Sequence, residues 1–218
     1  DDIVAILESR SLPWIVSFGG VGSNYLANIL GIRGDEDGYF KTCHFPYPLP
    51  ISKPGFRALY IFDDPILSAV SQLTRDHQVN IAKNNNLDVA MDVCYSYTLE
   101  KCAKHRLDVL NLMGHAKNWL LSKPDVSYDI MCLRFSDVPI NIDRVLEFLG
   151  KSEQNALSIK KSLAIKPRRS PEILEKYKLD LELLYGGLRD KLEELPGCFL
   201  HRGEVDGLGE LLRGEGDL

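Results

Sequence analysis

Three unbroken apolar runs stand out along the chain. "PWIVSF" (13–18), "RALYIF" (57–62) and "YDIMCLRF" (128–135) are rich in β-branched and aromatic residues, as buried strands are. Elsewhere the apolar positions recur at helical spacing. Asn24 to Leu30 reads as a helix that ends near Gly31. "DDPILSAVSQLTR" (63–75) starts another, with Asp63 or Asp64 as the cap and Pro65 in the first turn. Leu99, Cys102, Ala103, Leu107, Leu110, Met113, Ala116 and Leu120 predict a helix over 99–121. "NIDRVLEFLG" (141–150) predicts a short helix that closes at Gly150, and Pro171 to Leu195 a long one.

The polar stretches supply the connections. "RGDEDG" (33–38) reads as a turn. "YFKTCHF" (39–45) has strand character and breaks at the three prolines of "PYPLP" (46–50). Residues 76–98 are less regular, and "KNNN" (83–86) reads as a mobile loop. The tail, approximately 200–218, is glycine-rich and acidic and reads as loosely ordered. Strands alternate with helices. The expected fold is α/β, a P-loop-type mainly parallel sheet flanked by helices on both faces, in a single domain over 1–218.

Composition narrows the function classes. The chain has 218 residues, 44% hydrophobic and 26% charged, with a net charge of −5. That balance argues against a nucleic-acid partner, which usually meets a basic excess. No apolar run reaches the roughly 18 residues of a membrane span, and no signal peptide is visible. The five cysteines match no metal spacing, and the histidines form no zinc-type cluster, so no metal is expected. Reduced, mostly buried thiols fit a cytoplasmic protein.

Candidate chemistry begins in the turn after the first strand, Gly19-Gly20-Val21-Gly22-Ser23-Asn24. Glycine turns of this kind gather backbone N–H groups on a phosphate. The lysine of an ATP- or GTP-hydrolysing loop is missing after the last glycine, and Tyr25 stands where a dinucleotide fingerprint has its third glycine. Lys41 and His44 come together at the end of a predicted strand, where parallel sheets bind ligands. A lysine there stabilises developing charge and a histidine takes a proton. Ser71, in the first turns of its helix, is a candidate phosphate donor. Asp63 and Asp64 follow a strand and suit a magnesium site in a kinase reading.

Taken in order, the glycine turn, K-T-(C)-H-x-P and the strand running into x-D-P with its later serine resemble the sulfotransferase family. Those enzymes use 3′-phosphoadenosine 5′-phosphosulfate and carry P-K-S-G-T-T-W, K-T-H-L-P and R-N-P-x-D-x-x-x-S segments. "GHAKNWLLSKPDVSYDIMCLRFSDV" is similar to the family's H-V-x-x-W segment and following strand, and "DRVLEFLGK" to its next helix. The resemblance spans about residues 13–151. It implies that Gly19, Gly20, Val21, Gly22, Ser23 and Asn24 cradle the 5′-phosphosulfate and that Tyr25 packs on adenine. Phe135 stands in for a tyrosine near that base. Ser71 would contact the 3′-phosphate, Lys41 would be the catalytic lysine and His44 the general base. His115 and Trp119 are read as helix packing. The product would be adenosine 3′,5′-bisphosphate and the acceptor a small molecule or glycan whose identity the residues do not specify.

Departures from the pattern are equally specific. The family's basic loop residue falls at Gly20, and the arginine of its 3′-phosphate site falls at Asp63. Replacement cations are Arg75, Lys166 and, in a loose counterpart of the family's basic C-terminal segment, Arg168 and Arg169. Cys43 is an insertion before His44, and one extra residue in a strand turns the next side chain to the other face. A non-catalytic nucleotide-binding relative and a P-loop kinase therefore stand beside the sulfotransferase reading.

Overall fold

The computed structural model describes residues 3–9, 13–32, 44–75, 97–163 and 172–202. The turn expected at 33–38, most of the strand expected at 39–45, the loop at 83–86 and the tail beyond 202 lie outside the described residues.

The three apolar runs form the first three strands: β1 (Trp14–Ser17), β2 (Arg57–Phe62) and β3 (Asp129–Arg134). All three are parallel, in register from Trp14 against Ala58 and from Arg57 against Asp129. Every residue of β1 and all of β2 after Arg57 is buried, as expected of parallel strands covered on both sides. A fourth strand, β4 (Cys198–His201), pairs antiparallel with β3, and the order is β1-β2-β3-β4. The fold is thus mixed α/β with a mostly parallel sheet flanked by helices. β4 corrects the expectation of a loose tail starting near 200, since Leu200 and His201 pair with Met131 and Ile130.

Helices α1 (Ile3–Ser9), α2 (Ser23–Ile29) and α3 (Pro65–Leu73) precede the second half of the chain. The long helix expected over 99–121 is broken into α4 (Leu99–His105), α5 (Leu112–Ala116) and a π-helical turn at Lys117–Leu121. Arg106 and Asn111 take left-handed backbones, and the Asp108 carboxylate receives the N–H groups of Leu112 and Met113. The apolar spacing runs on through the break because Cys102, Leu110, Leu112 and Ala116 all enter the same core. α6 (Val138–Phe148) starts earlier than expected, with Pro139 in its first turn. α7 (Glu153–Ser162) and α8 (Glu172–Glu193) complete the described helices. None of them is long and apolar enough to cross a membrane. Cys102, Cys132 and Cys198 are buried free thiols.

Arg134, at the end of β3, ties the sheet to α8. Its guanidinium donates to the carbonyls of Leu192 at 2.6 Å and Leu195 at 2.8 Å, at and just beyond the helix end. It also lies over the Phe62 ring. Arg134→Ala is expected to destabilise the protein by roughly 1–3 kcal/mol, the cost of leaving such half-buried acceptors unpaired. Arg134→Lys, without the planar fork, restores only part of that in urea unfolding.

Candidate functional site

β1 ends at Ser17, and the chain turns through Phe18, Gly19, Gly20, Val21 and Gly22 into α2. Gly19, Gly20 and Gly22 have φ of 89°, 67° and 85°, a left-handed backbone that glycine alone adopts without strain. Two of the three also lack room for a side chain. A Cβ on Gly20 would stand 2.8 Å from the Ser68 carbonyl oxygen of α3. A Cβ on Gly22 would enter the Phe135 ring. The turn is therefore held between α3 and the residue that follows β3. Within it Val21 and Ser23 are buried and Asn24 is exposed.

His44 closes on this turn from across the sequence. Its Nδ1 lies 2.7 Å from the Ser17 carbonyl oxygen and 3.3 Å from Ser17 Oγ. A ring nitrogen facing a carbonyl donates to it, which places a proton on Nδ1; in the neutral ring the lone pair is then on Nε2. Ser17 Oγ donates to Ser23 Oγ at 3.1 Å and accepts the Gly19 N–H at 3.2 Å. The histidine, two serines and the first amide of the turn thus form one hydrogen-bonded group. Whatever Cys43 does before it, the His44 ring meets the loop. Lys41 and Cys43 themselves lie outside the described residues, as do Lys166, Arg168 and Arg169.

The 3′-phosphate candidates fare differently. Asp64, not Asp63, caps α3, accepting from Ile66 and Leu67. Asp63 bridges two strand ends: Oδ1 accepts the Asp64 N–H and Oδ2 the Ser136 N–H at 3.1 Å. Ser71 is half-buried on α3, where Ser68 and Gln72 are the residues that approach Gly20. A cleft of ≈ 160 Å³ at this edge is lined by Asp63, Asp64, Arg134, Ser136, Arg189 and Glu193 among others. Its two arginines are engaged within the protein: Arg134 by the end of α8, and Arg189 by Glu182, Asp190 and Glu193.

Tyr25 and Phe135, the two rings implicated in adenine contact, meet edge to face with centroids 6.3 Å apart. They come from α2 and the end of β3, so their meeting was not dictated by local sequence.

One residue here was missed at the sequence level, and two do more than the packing expected of them. Ser17 reads only as a strand residue, yet it joins His44 to the turn. His115 and Trp119 are more than helix packing. Trp119 stacks on Tyr60 at 4.9 Å and donates through Nε1 to the Phe45 carbonyl. His115 is fully buried, with Nδ1 2.9 Å from the Tyr60 hydroxyl and, among the described residues, no hydrogen-bond partner for Nε2. Burial, and next the charge of nearby His44, lower its pKa to about 3. The unfolded chain therefore binds a proton at this residue near the ordinary histidine pKa of about 6.5, whereas the folded chain does not. Stability should fall as pH drops from about 6.5 towards 3, by at most roughly 1.4 kcal/mol per unit from this residue. Urea unfolding between pH 5 and 7.5 checks it, and His115→Phe should flatten the slope. His201, also lowered by burial, contributes in the same sense.

No protein-family model matches the chain, and no curated protein matches it. Among solved structures, the mouse sulfotransferase SULT7A1 complexed with PAP is similar to this chain, with 14% sequence identity over 90% of this chain and 94% of that one and a TM-score of 0.47. At that distance, the roles of individual residues rest on this chain's own geometry.

Proposed function

We propose that this chain is a sulfotransferase-like enzyme that moves a sulfuryl group from 3′-phosphoadenosine 5′-phosphosulfate to a hydroxyl or amine. The observation that carries the reading is the position of His44. Its Nδ1 is anchored on the Ser17 carbonyl where the glycine turn begins, so a neutral ring carries its basic lone pair on Nε2. The donor's 5′ end suits the turn, whose amides and Ser23 offer donors without a lysine. Its adenine suits the Tyr25 and Phe135 rings.

In the reaction the acceptor O–H or N–H gives its proton to His44 Nε2. The acceptor atom bonds to sulfur as the bond from sulfur to the phosphate oxygen breaks. Adenosine 3′,5′-bisphosphate leaves with the electron pair. Backbone amides of the turn, with Lys41, stabilise the charge on the transferring group. The acceptor would be a small molecule or glycan.

The engaged Asp63, Arg134 and Arg189 favour a second reading, a relative that binds an adenosine phosphate without transferring sulfuryl. Arg168 and Arg169 would have to supply the 3′-phosphate contact in the first reading. The kinase reading is weaker, because the carboxylates of Asp63 and Asp64 both receive backbone N–H groups. Incubation with the phosphosulfate donor and a panel of phenols, sugars and amines tests the proposal. Acceptor-dependent release of the bisphosphate supports transfer. Donor binding without release supports the second reading.

A further inference from the structure

His44 opens a strap, residues 44–52, that contains three prolines and no regular secondary structure. Backbone carbonyls in such a segment need partners from elsewhere. Four of them find side chains of one later stretch. Phe45 O accepts from Trp119 Nε1 at 2.9 Å, Pro46 O from Asn118 Nδ2 at 3.0 Å, Leu49 O from the Tyr128 hydroxyl and Ile51 O from Ser127 Oγ, both at 3.0 Å. The two donors nearest His44 lie in the π-helical turn, a rare geometry that often marks functional sites. They share a helix face with His115, whose ring is close enough to His44 to feel its charge. Behind that face, Trp119 packs on Trp14 and Tyr60, which fix it to β1 and β2. Ser17, which receives the His44 ring, is the last residue of that same β1.

We infer that Asn118 and Trp119 are positioning residues for His44. They hold the two carbonyls after it, so that Nδ1–H meets the Ser17 carbonyl at the start of the glycine turn. The inference rests on the proposed role of His44 as the base, but its first consequence is independent of turnover: His44 should exist as one tautomer. Packing alone would need Trp119 as an apolar ring and would need nothing of the Asn118 amide.

Two variants of the full chain separate these roles. Trp119→Phe keeps a ring on Tyr60 and removes the N–H. Asn118→Leu keeps volume and removes the amide, and at a half-buried site it keeps the test alive if Trp119→Phe fails to fold. The readout is the ring ¹⁵N spectrum of His44, assigned by difference against His44→Gln. The wild type should show an Nδ1–H imidazole, and each folded variant a mixture of tautomers. If acceptor turnover is found, kcat should fall by up to roughly 10²-fold with the donor KM unchanged, as a misplaced catalytic group requires. An Nδ1–H signature retained in both folded variants overturns the inference. A wild-type signature lost in the variants, in a protein that never transfers sulfuryl, upholds the positioning and overturns the assignment of His44 as a base instead.

Discussion

Gly20→Lys, which puts a cation where the sulfotransferase loop carries its basic residue, should destabilise the protein without adding activity. The left-handed backbone at φ 67° costs a non-glycine residue roughly 1–2 kcal/mol. The new Cβ also meets a backbone oxygen, Ser68 O at 2.8 Å, which a rotamer change does not relieve. Forced contacts of that kind cost roughly 1–3 kcal/mol more, so about 2–5 kcal/mol is expected in all. Gly31→Ala is the matched control. Gly31 has the same φ of 67° but nothing within 4 Å of its added Cβ, so only the backbone term applies. Urea unfolding of the two variants separates conformation from collision. A lysine at position 20 that costs no more than Gly31→Ala would mean that the turn does not lie against α3.

His44→Ala should lower turnover by roughly 10²–10⁴-fold, the usual worth of a positioned general base, equivalent to about 2.7–5.4 kcal/mol of barrier. The donor affinity should change little, because the ring is held on Ser17, at the end of β1 and ahead of the glycines. His44→Gln preserves a donor to the Ser17 carbonyl but supplies no base, so it should be as slow as alanine and better folded. A variant that turns over at the wild-type rate removes His44 from the chemistry and leaves it a strap anchor.

Strands β1, β2 and β3 were legible because buried parallel strands are continuous apolar runs. β4 was not. "CFLH" is four residues long, and it is a strand through its pairing with β3 across more than sixty positions of chain, a contact that leaves no local pattern. The break between α4 and α5 escaped for the opposite reason. Arg106 and Asn111 interrupt the backbone without interrupting the apolar spacing, since both helices bury the same face. At the site, the turn and His44 were visible as residue types in order. What joins them was not: Ser17 to His44, Asp63 to Ser136 and Asn118 to Pro46 are all contacts between distant segments. The conflict at Asp63 was legible; its partner, the Ser136 amide, was not, because only the folded strand ends bring it within reach.

The central claim is that the glycine turn and its two rings receive an adenosine nucleotide of the phosphosulfate class. Calorimetric titration with adenosine 3′,5′-bisphosphate, set against ATP–magnesium and adenosine monophosphate, tests it most directly. Micromolar binding of the bisphosphate, independent of magnesium and tighter than either control, is expected. Binding of ATP–magnesium alone, or of none of the three, would contradict it.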